Sequence, residues 1–402
     1  AGTRPTGHGA CGLLVWKGRG PARPAPGVYP QRTGSVGLEA AIDGGRRIST
    51  CGSGLLKRWS DMSRWLLVAG VAGAALLLTY VLRRYALARS LMDIPNARSS
   101  HSVPTPRGGG AAIVVSFLVA LALIATTGGI EWSASVALLG AGGFVALVGF
   151  LDDHGHIAAR WRLLAHFGAA FWALGWLGGA PALQLFGVQL DLGWLGVALA
   201  AVYLVWLLNL YNFMDGIDGI ASVEAICVCV GGALLFVLLG KPDLALLPLM
   251  LAAAVAGFLF WNFPPARIFM GDAGSGFLGI VLGIMSIQAG WVDPALFWSW
   301  VILLGVFVVD ATFTLVRRLL RGDKVYEAHR SHAYQYASRQ YGSHLPVTLT
   351  VGVINLIWLL PVAVLVTLGK IDGMVGLLIA YMPLVFAASR FRAGELEVRE
   401  NR

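Results

Sequence analysis

The chain has 402 residues, 57% of them hydrophobic and 13% charged, a formal charge of +9 and a positive mean hydropathy. Long apolar runs recur along it, which excludes an ordinary soluble domain, because only lipid can cover so much apolar surface. The basic residues sit in loops between those runs, so the positive charge points to membrane anchoring and anionic lipid or phosphate ligands, with no nucleic-acid partner.

Residues 1–61 are rich in Gly, Pro and Arg and lack apolar periodicity. They are expected to be a non-native or disordered extension, with a basic lipid-binding arm as the alternative. Met62-Ser-Arg-Trp-Leu-Leu-Val resembles an ordinary start, so 62–389 is read as one transmembrane domain and 390–402 as a basic cytosolic tail. Apolar runs predict spanning helices over 65–81, 111–127, 134–151, 163–177, 192–208, 220–239, 244–261, 277–289, 296–316, 347–368 and 373–389. The expected fold is therefore an all-α, polytopic integral membrane protein of about eleven transmembrane helices. After Met62, eighteen Lys and Arg fall in alternate connections, against Lys241, Lys370 and Arg64 on the other side. The positive-inside rule makes the eighteen cytosolic, with the N-terminus outside and the C-terminus inside. Every polar-rich loop then falls on the cytosolic face.

Those loops carry the chemistry. The segment Asp93-Ile-Pro-Asn-Ala-Arg-Ser-Ser-His101 leads to Pro106-Arg107-Gly-Gly-Gly110. Three glycines opening a helix expose backbone N–H groups, and Arg98, His101 and Arg107 add positive charge, a combination suited to phosphate. Asp152 and Asp153 close the third helix, followed by Arg160 and Arg162. Adjacent helical residues point about 100° apart, so one acid is expected to face substrate and the other a partner. Asn209, Asn212, Asp215 and Asp218 recur at a spacing of three, and Gly216 and Gly219 loosen the helix enough for several oxygens to converge. Asp272, in Gly271-Asp-Ala-Gly-Ser-Gly276, is either a helix cap or a metal ligand that a diphosphate can approach. Asp310 is expected to form an ion pair with Arg317 or Arg318. His329-Arg330-Ser-His332 has no third zinc ligand at a suitable spacing, so two imidazoles and an arginine beside a phosphate are expected. Cys227 and Cys229 read as small buried hydrophobes. Carboxylates repel phosphates unless a cation stands between them, and the sum of these groups suits Mg²⁺- or Mn²⁺-assisted phosphoryl transfer.

Five motifs in this order resemble the polyprenyl-phosphate N-acetylhexosamine-1-phosphate transferases, glycosyltransferase family four. They are Asp-Ile-Pro-Asn-x-Arg-Ser-x-His with Pro-Arg-Gly-Gly-Gly, Asp-Asp, Asn-x-x-Asn-x-x-Asp-Gly-x-Asp-Gly, Gly-Asp-x-Gly-Ser and the His loop, covering roughly 62–389. Asp93-Ile-Pro-Asn and His-Arg-Ser-His look like the branch that starts O-antigen or exopolysaccharide synthesis. The resemblance implies attack by undecaprenyl phosphate on the β-phosphorus of a UDP-N-acetylhexosamine, releasing UMP, in the bacterial inner membrane. It implies Mg²⁺ held by Asp272 and Asn212, with Asp152 orienting or deprotonating the lipid phosphate beside Asp153. Asp215 and Asp218 would shape the nucleotide pocket, with Asn209 on the substrate side. His329, Arg330 and His332 would contact the sugar-phosphate, and Arg160 and Arg107 would steady phosphates. A homodimer is compatible with this reading. The rivals are the peptidoglycan-precursor transferase, which takes UDP-N-acetylmuramoyl-pentapeptide, and a membrane transporter.

Overall fold

The computed structural model describes residues 44–95, 103–155, 157–323 and 330–395, with side chains from Ser63 onward. The chain divides into two units, 1–57 and 58–402. Of the first, only the helical backbone of 44–57 is described, inside the stretch expected to be irregular; residues 1–43 of that expected extension lie outside the described residues.

Helix α1 runs Gly44–Ala88, and its apolar span is Ser63–Ala88. A two-residue ladder, β1 (Met92–Asp93) with β2 (Thr105–Pro106), joins it to α2 (Gly110–Thr126). Then follow α3 (Trp132–Gly155), α4 (Ala159–Leu177), the hairpin β3–β4 (Leu183–Leu185, Val188–Leu190), α5 (Gly193–Met214) and α6 (Ile220–Leu238). After a 3-10 turn come α7 (Leu246–Asn262), α8 (Asp272–Val292), α9 (Pro294–Leu303) and α10 (Gly305–Leu320). The chain closes with α11 (Ala333–Tyr341), α12 (Leu345–Ile354), α13 (Leu360–Thr367) and α14 (Gly373–Arg390).

The all-α, polytopic expectation holds. Among the described residues eight helices are long and apolar enough to cross a membrane, and α9 with α10 makes a ninth if the pair is one span. Helix α2 is apolar but shorter, at 17 residues. Helix α4 carries Arg160 and Arg162 in its first turn. Connectivity nonetheless sends it across the bundle: α3 and α5 both end at one pocket, so α4 must return the chain to the far end. Nineteen residues reach about 28 Å, enough for that return.

Helix α8 is the centre of the bundle, buried along most of its length and packed on α3, α5 and α2. Gly110 and Gly274 let α2 and α8 touch backbone to backbone: a Cβ on Gly110 would lie 2.5 Å from the Gly274 Cα.

The expected single helix over 296–316 is instead broken at Leu304, with α9 and α10 inclined at 71°. A side chain at Gly305 would meet Tyr381 at 2.9 Å, so the break is packed around a missing Cβ. The helix expected over 347–368 is interrupted by a π-helical turn, Asn355–Leu359. There the buried Asn355 Nδ2 donates to the buried Glu224 Oε2 of α6 at 2.6 Å. A buried carboxyl needs such a partner, and this one ties α12 to α6.

Asp310 is not in the expected ion pair. Arg317 pairs with Glu395 at 2.9 Å and Arg318 with Asp323 at 3.5 Å. Asp310 accepts the Ala333 and Tyr334 N–H groups, each at 3.0 Å, and lies 3.3 Å from His332 Nδ1. Its charge thus satisfies the free N–H groups that open α11.

Candidate active site

The ends of α3, α5 and α7 and the starts of α2, α6 and α8 converge on one cavity of about 220 Å³. Asp93, Arg107, Asn212, Asp215, Asp218 and Asp272 line it, with Asn262, Gln335 and His344. One pocket thus collects acids from three of the five motifs, and Asp153 of a fourth reaches it through Arg107.

Arg107 is its electrostatic hub. Its Nη2 lies 2.6 Å from Asp153 Oδ1 and 2.8 Å from Asp272 Oδ1. Burial alone would lower the Arg107 pKa, but Asp272, Asp153 and Asp93 outweigh it and raise the pKa. Asp153 also faces the Asp272 and Ala273 N–H groups at 3.3 and 3.4 Å, capping α8 from a neighbouring helix. Gly271 makes room for this: its φ is +79°, and a Cβ there would sit 2.8 Å from Asp153 Oδ2. Asp272 therefore opens α8, and the cap on that helix is Asp153.

Asp152 diverges, as the 100° offset requires. It accepts the Ile157 N–H at 2.6 Å and pairs with Arg162, whose guanidinium also lies 3.8 Å from Asp272 Oδ2. Arg162, not Arg160, reaches the site. Residues two apart on a helix face roughly 200° apart, so only one can point inward. Arg160 is exposed, 5.6 Å over the Trp161 ring.

Helix α5 ends at Met214, and α6 begins after Gly219 in the left-handed conformation, so the helix does loosen as expected. Asn212 Nδ2 donates to Ser275 Oγ at 3.0 Å, leaving the Asn212 carbonyl oxygen for the pocket. Asn209 lies one turn back and donates to Val205 O at 2.7 Å, away from the cavity lining. Asp218 is fully engaged: Oδ2 accepts the Ala266 N–H at 2.9 Å, and Oδ1 lies 3.2 Å from His344 Nδ1. The Asp215 carboxylate has no hydrogen-bond or ion-pair partner among the described residues, its N–H alone bonding to Asn212 O at 3.4 Å. Burial first, and then the neighbouring Asp272, push its carboxyl well above the usual range.

Two of the three loop glycines turn their N–H groups to neighbouring carbonyls, not to a ligand. Gly109 donates to Phe269 O and Gly110 to Met270 O, both at 2.9 Å, and Phe269 N–H returns to Pro106 O at 2.8 Å. This stitching fixes Arg107 over Asp272. Within the His loop, His329 lies outside the described residues, as do Arg98 and His101. His332 is buried at the start of α11, where it forms a reciprocal cap with Gln335. Arg330 precedes it and accepts Arg339 Nη1 on its carbonyl at 3.2 Å. Sequence reasoning missed His344, Gln335 and the buried Glu224. The last was detectable as an acid inside an apolar run.

Among the described residues no three or more His, Cys, Asp or Glu side chains are grouped as a ready cation cage. The pocket instead offers an unpaired carboxylate, a second held between two arginines, and an amide oxygen.

Fold and site together define a polytopic helical membrane protein with a polar pocket lined by several acids and an arginine. Residues 135–290 match the family model described as glycosyl transferase family 4. The chain is 29% identical over 298 residues to a probable undecaprenyl-phosphate N-acetylglucosaminyl 1-phosphate transferase of Bacillus subtilis, covering 72% of this chain and 81% of that protein. It is 30% identical over 248 residues to a phospho-N-acetylmuramoyl-pentapeptide-transferase of Streptococcus pneumoniae, covering 57% and 72%. A decaprenyl-phosphate N-acetylglucosaminephosphotransferase of Mycolicibacterium smegmatis is 29% identical over 307 residues, covering 65% and 72%. The chain belongs to glycosyl transferase family 4, among the polyprenyl-phosphate hexosamine-1-phosphate transferases, and is a membrane-bound phospho-sugar transferase.

Proposed function

We propose that this protein transfers N-acetylhexosamine 1-phosphate from a UDP-sugar to undecaprenyl phosphate. The products are UMP and undecaprenyl-diphosphate-sugar, in the first membrane step of O-antigen or related surface-polysaccharide synthesis. The observation that supports this best is the charge arrangement of the pocket: Asp215 is unpaired beside Asp272, and Arg107 and Arg162 flank Asp272. Acids facing a diphosphate need a cation between them. Asp215, Asp272 and the Asn212 carbonyl are hard oxygen donors that suit Mg²⁺, with Mn²⁺ as a substitute. Magnesium sites of this kind use one or two protein carboxylates and take the remaining ligands from phosphates and water. When bound, the cation offsets the diphosphate charge and stabilises the leaving UMP.

The chain's own groups do the rest. Arg107 and Arg162 bind diphosphate oxygens. The acceptor is itself a phosphate, with a second pKa of about 6, so it is largely dianionic at neutral pH and needs no base. Asp152 and Asp153 therefore act by holding Arg162 and Arg107. Asp218 fixes the wall that Asn262 and His344 complete, with Asn209 supporting α5 behind it. His332 seats α11, leaving His329 and Arg330 to meet the donor sugar-phosphate. The eighteen Lys and Arg support an inner-membrane orientation with the pocket and C-terminus cytosolic and the N-terminus outside.

A second reading rests on the pentapeptide-transferase relatives, which would make the donor UDP-N-acetylmuramoyl-pentapeptide. Both are tested with purified protein, undecaprenyl phosphate, Mg²⁺ and a panel of UDP-N-acetylhexosamines that includes the pentapeptide donor, following UMP. Release with one hexosamine, requiring lipid and metal, is expected. Release with the pentapeptide donor alone would replace the first reading by the second, and no release from folded protein across the panel would overturn both.

A further inference from the structure

We infer that the flank formed by α1 and α7 carries a binding site for the headgroup of an anionic phospholipid, separate from the catalytic pocket. The two helices are parallel neighbours in tight contact: a Cβ on Gly257 would lie 2.3 Å from Ala72 O, and Trp261 Nε1 donates to Leu76 O at 3.1 Å. Where they end, three guanidiniums gather. Arg83 lies 5.9 Å and Arg267 5.8 Å from the centroid of the same Trp261 ring. Arg83 Nε also donates to the Arg267 carbonyl at 3.2 Å, and Arg84 Nη1 reaches Tyr80 Oη at 3.2 Å. The Tyr80 and Trp261 rings stand 5.7 Å apart and form the floor between them.

Charge makes this patch unusual. Neither Ser63–Ala88 of α1 nor α7 with the loop to Ile268 contains an Asp or Glu. Among the described residues, none of the three arginines pairs with a carboxylate, in contrast to Arg107 and Arg162. Cation–π contacts hold the guanidiniums in place but leave their charge uncompensated. Arg83 stands about 8 Å below the end of α1, within reach of the headgroup layer for a long side chain. On the membrane side of the patch the helices expose Leu77, Val81 and Phe260, an apolar flank along which acyl chains can lie. A cationic rim above a lipid-facing apolar strip matches a phosphodiester headgroup with its own tails, which a soluble anion or an acidic protein would leave half unused.

The test is native mass spectrometry of the full chain released from nanodiscs of phosphatidylcholine containing a minority of phosphatidylglycerol. Wild type is expected to retain phosphatidylglycerol in preference to phosphatidylcholine. Arg267→Gln alone, at an exposed loop position, should weaken that preference about fivefold, and R83Q/R84Q/R267Q should abolish it. Equal retention by wild type and Arg267→Gln would overturn the site, even if the triple variant fails to fold. Displacement of phosphatidylglycerol from the wild-type patch by stoichiometric undecaprenyl phosphate would overturn its assignment to a phospholipid.

Discussion

Asp153→Asn separates two roles open to this carboxylate, acting on the reacting phosphates or holding the groups that do. Its side chain is 6% exposed, contacts Arg107 at 2.6 Å and faces the first two N–H groups of α8. Asparagine keeps an oxygen for one of those N–H groups, so the cap loses about 0.5–1 kcal/mol. The larger change is at Arg107. A charge-assisted bond contributes about 1.5–3 kcal/mol. The guanidinium is 39% exposed and keeps Asp272 at 2.8 Å, so the lower end of that range applies. Arg107 would then lean on Asp272 alone and compete with the cation for it. About 1.4 kcal/mol is tenfold in an equilibrium constant, so the Mg²⁺ concentration for half-maximal activity should rise about tenfold. The assay is UMP release against Mg²⁺ at saturating donor and lipid, with thermal denaturation in parallel. Excess Mg²⁺ should restore kcat to within about threefold. A folded Asp153→Asn protein that stays inactive at every Mg²⁺ concentration would refute the positioning role.

Asp215→Asn should abolish UMP release while raising the apo protein's stability by about 0.5–2 kcal/mol at neutral pH. The folded-state pKa of this carboxyl is raised, so the folded state binds its proton more tightly than the unfolded chain does. Its contribution is therefore most favourable below the ordinary carboxylate range and is lost as pH rises through the folded pKa. Melts in chelator should show the variant's advantage at pH 7 shrinking as the pH is lowered towards that range. Glu224→Leu strips Asn355 Nδ2 of one of its two acceptors, leaving only Val351 O, and an unmet buried donor costs about 1–3 kcal/mol; Glu224→Gln should recover most of that in a detergent melt. Arg162→Ala should depress kcat/KM by at least about tenfold and Arg160→Ala should stay within about twofold, a contrast read in one UMP assay.

The bundle was legible because lipid imposes a simple rule. Every apolar run in the sequence is helical in the structure, since no other backbone arrangement satisfies its polar groups inside a bilayer except a closed barrel. The convergence of acids was legible for a related reason. An acid is costly within an apolar segment, so acids fall at segment ends, and Asp152, Asp153, Asp215, Asp218 and Asp272 do so within motifs on one side of the expected topology. The break between α9 and α10 was not legible. Hydropathy runs unbroken through Leu304 and Gly305, and the bend depends on Tyr381 packing where Gly305 has no side chain and on Asp310 holding α11.

Which residue of a motif does the work depends on helix register, and register is set by contacts that the motif does not contain. Asp152 accepts the Ile157 N–H across the turn, α4 then starts at Ala159, and that start turns Arg162 inward and Arg160 outward. A one-residue change in that start would rotate both side chains by about 100° with no change in the motif. Gly109 and Gly110 follow the same logic. Their N–H groups are as competent for phosphate as for carbonyls, and the carbonyls of Phe269 and Met270 reach them first. Those carbonyls arrive with the segment that carries Asp272, so the glycine loop and the Asp272 turn form one unit with Arg107 pinned between them. Substituting Gly110 would therefore weaken the Arg107–Asp272 contact without removing any group that touches substrate.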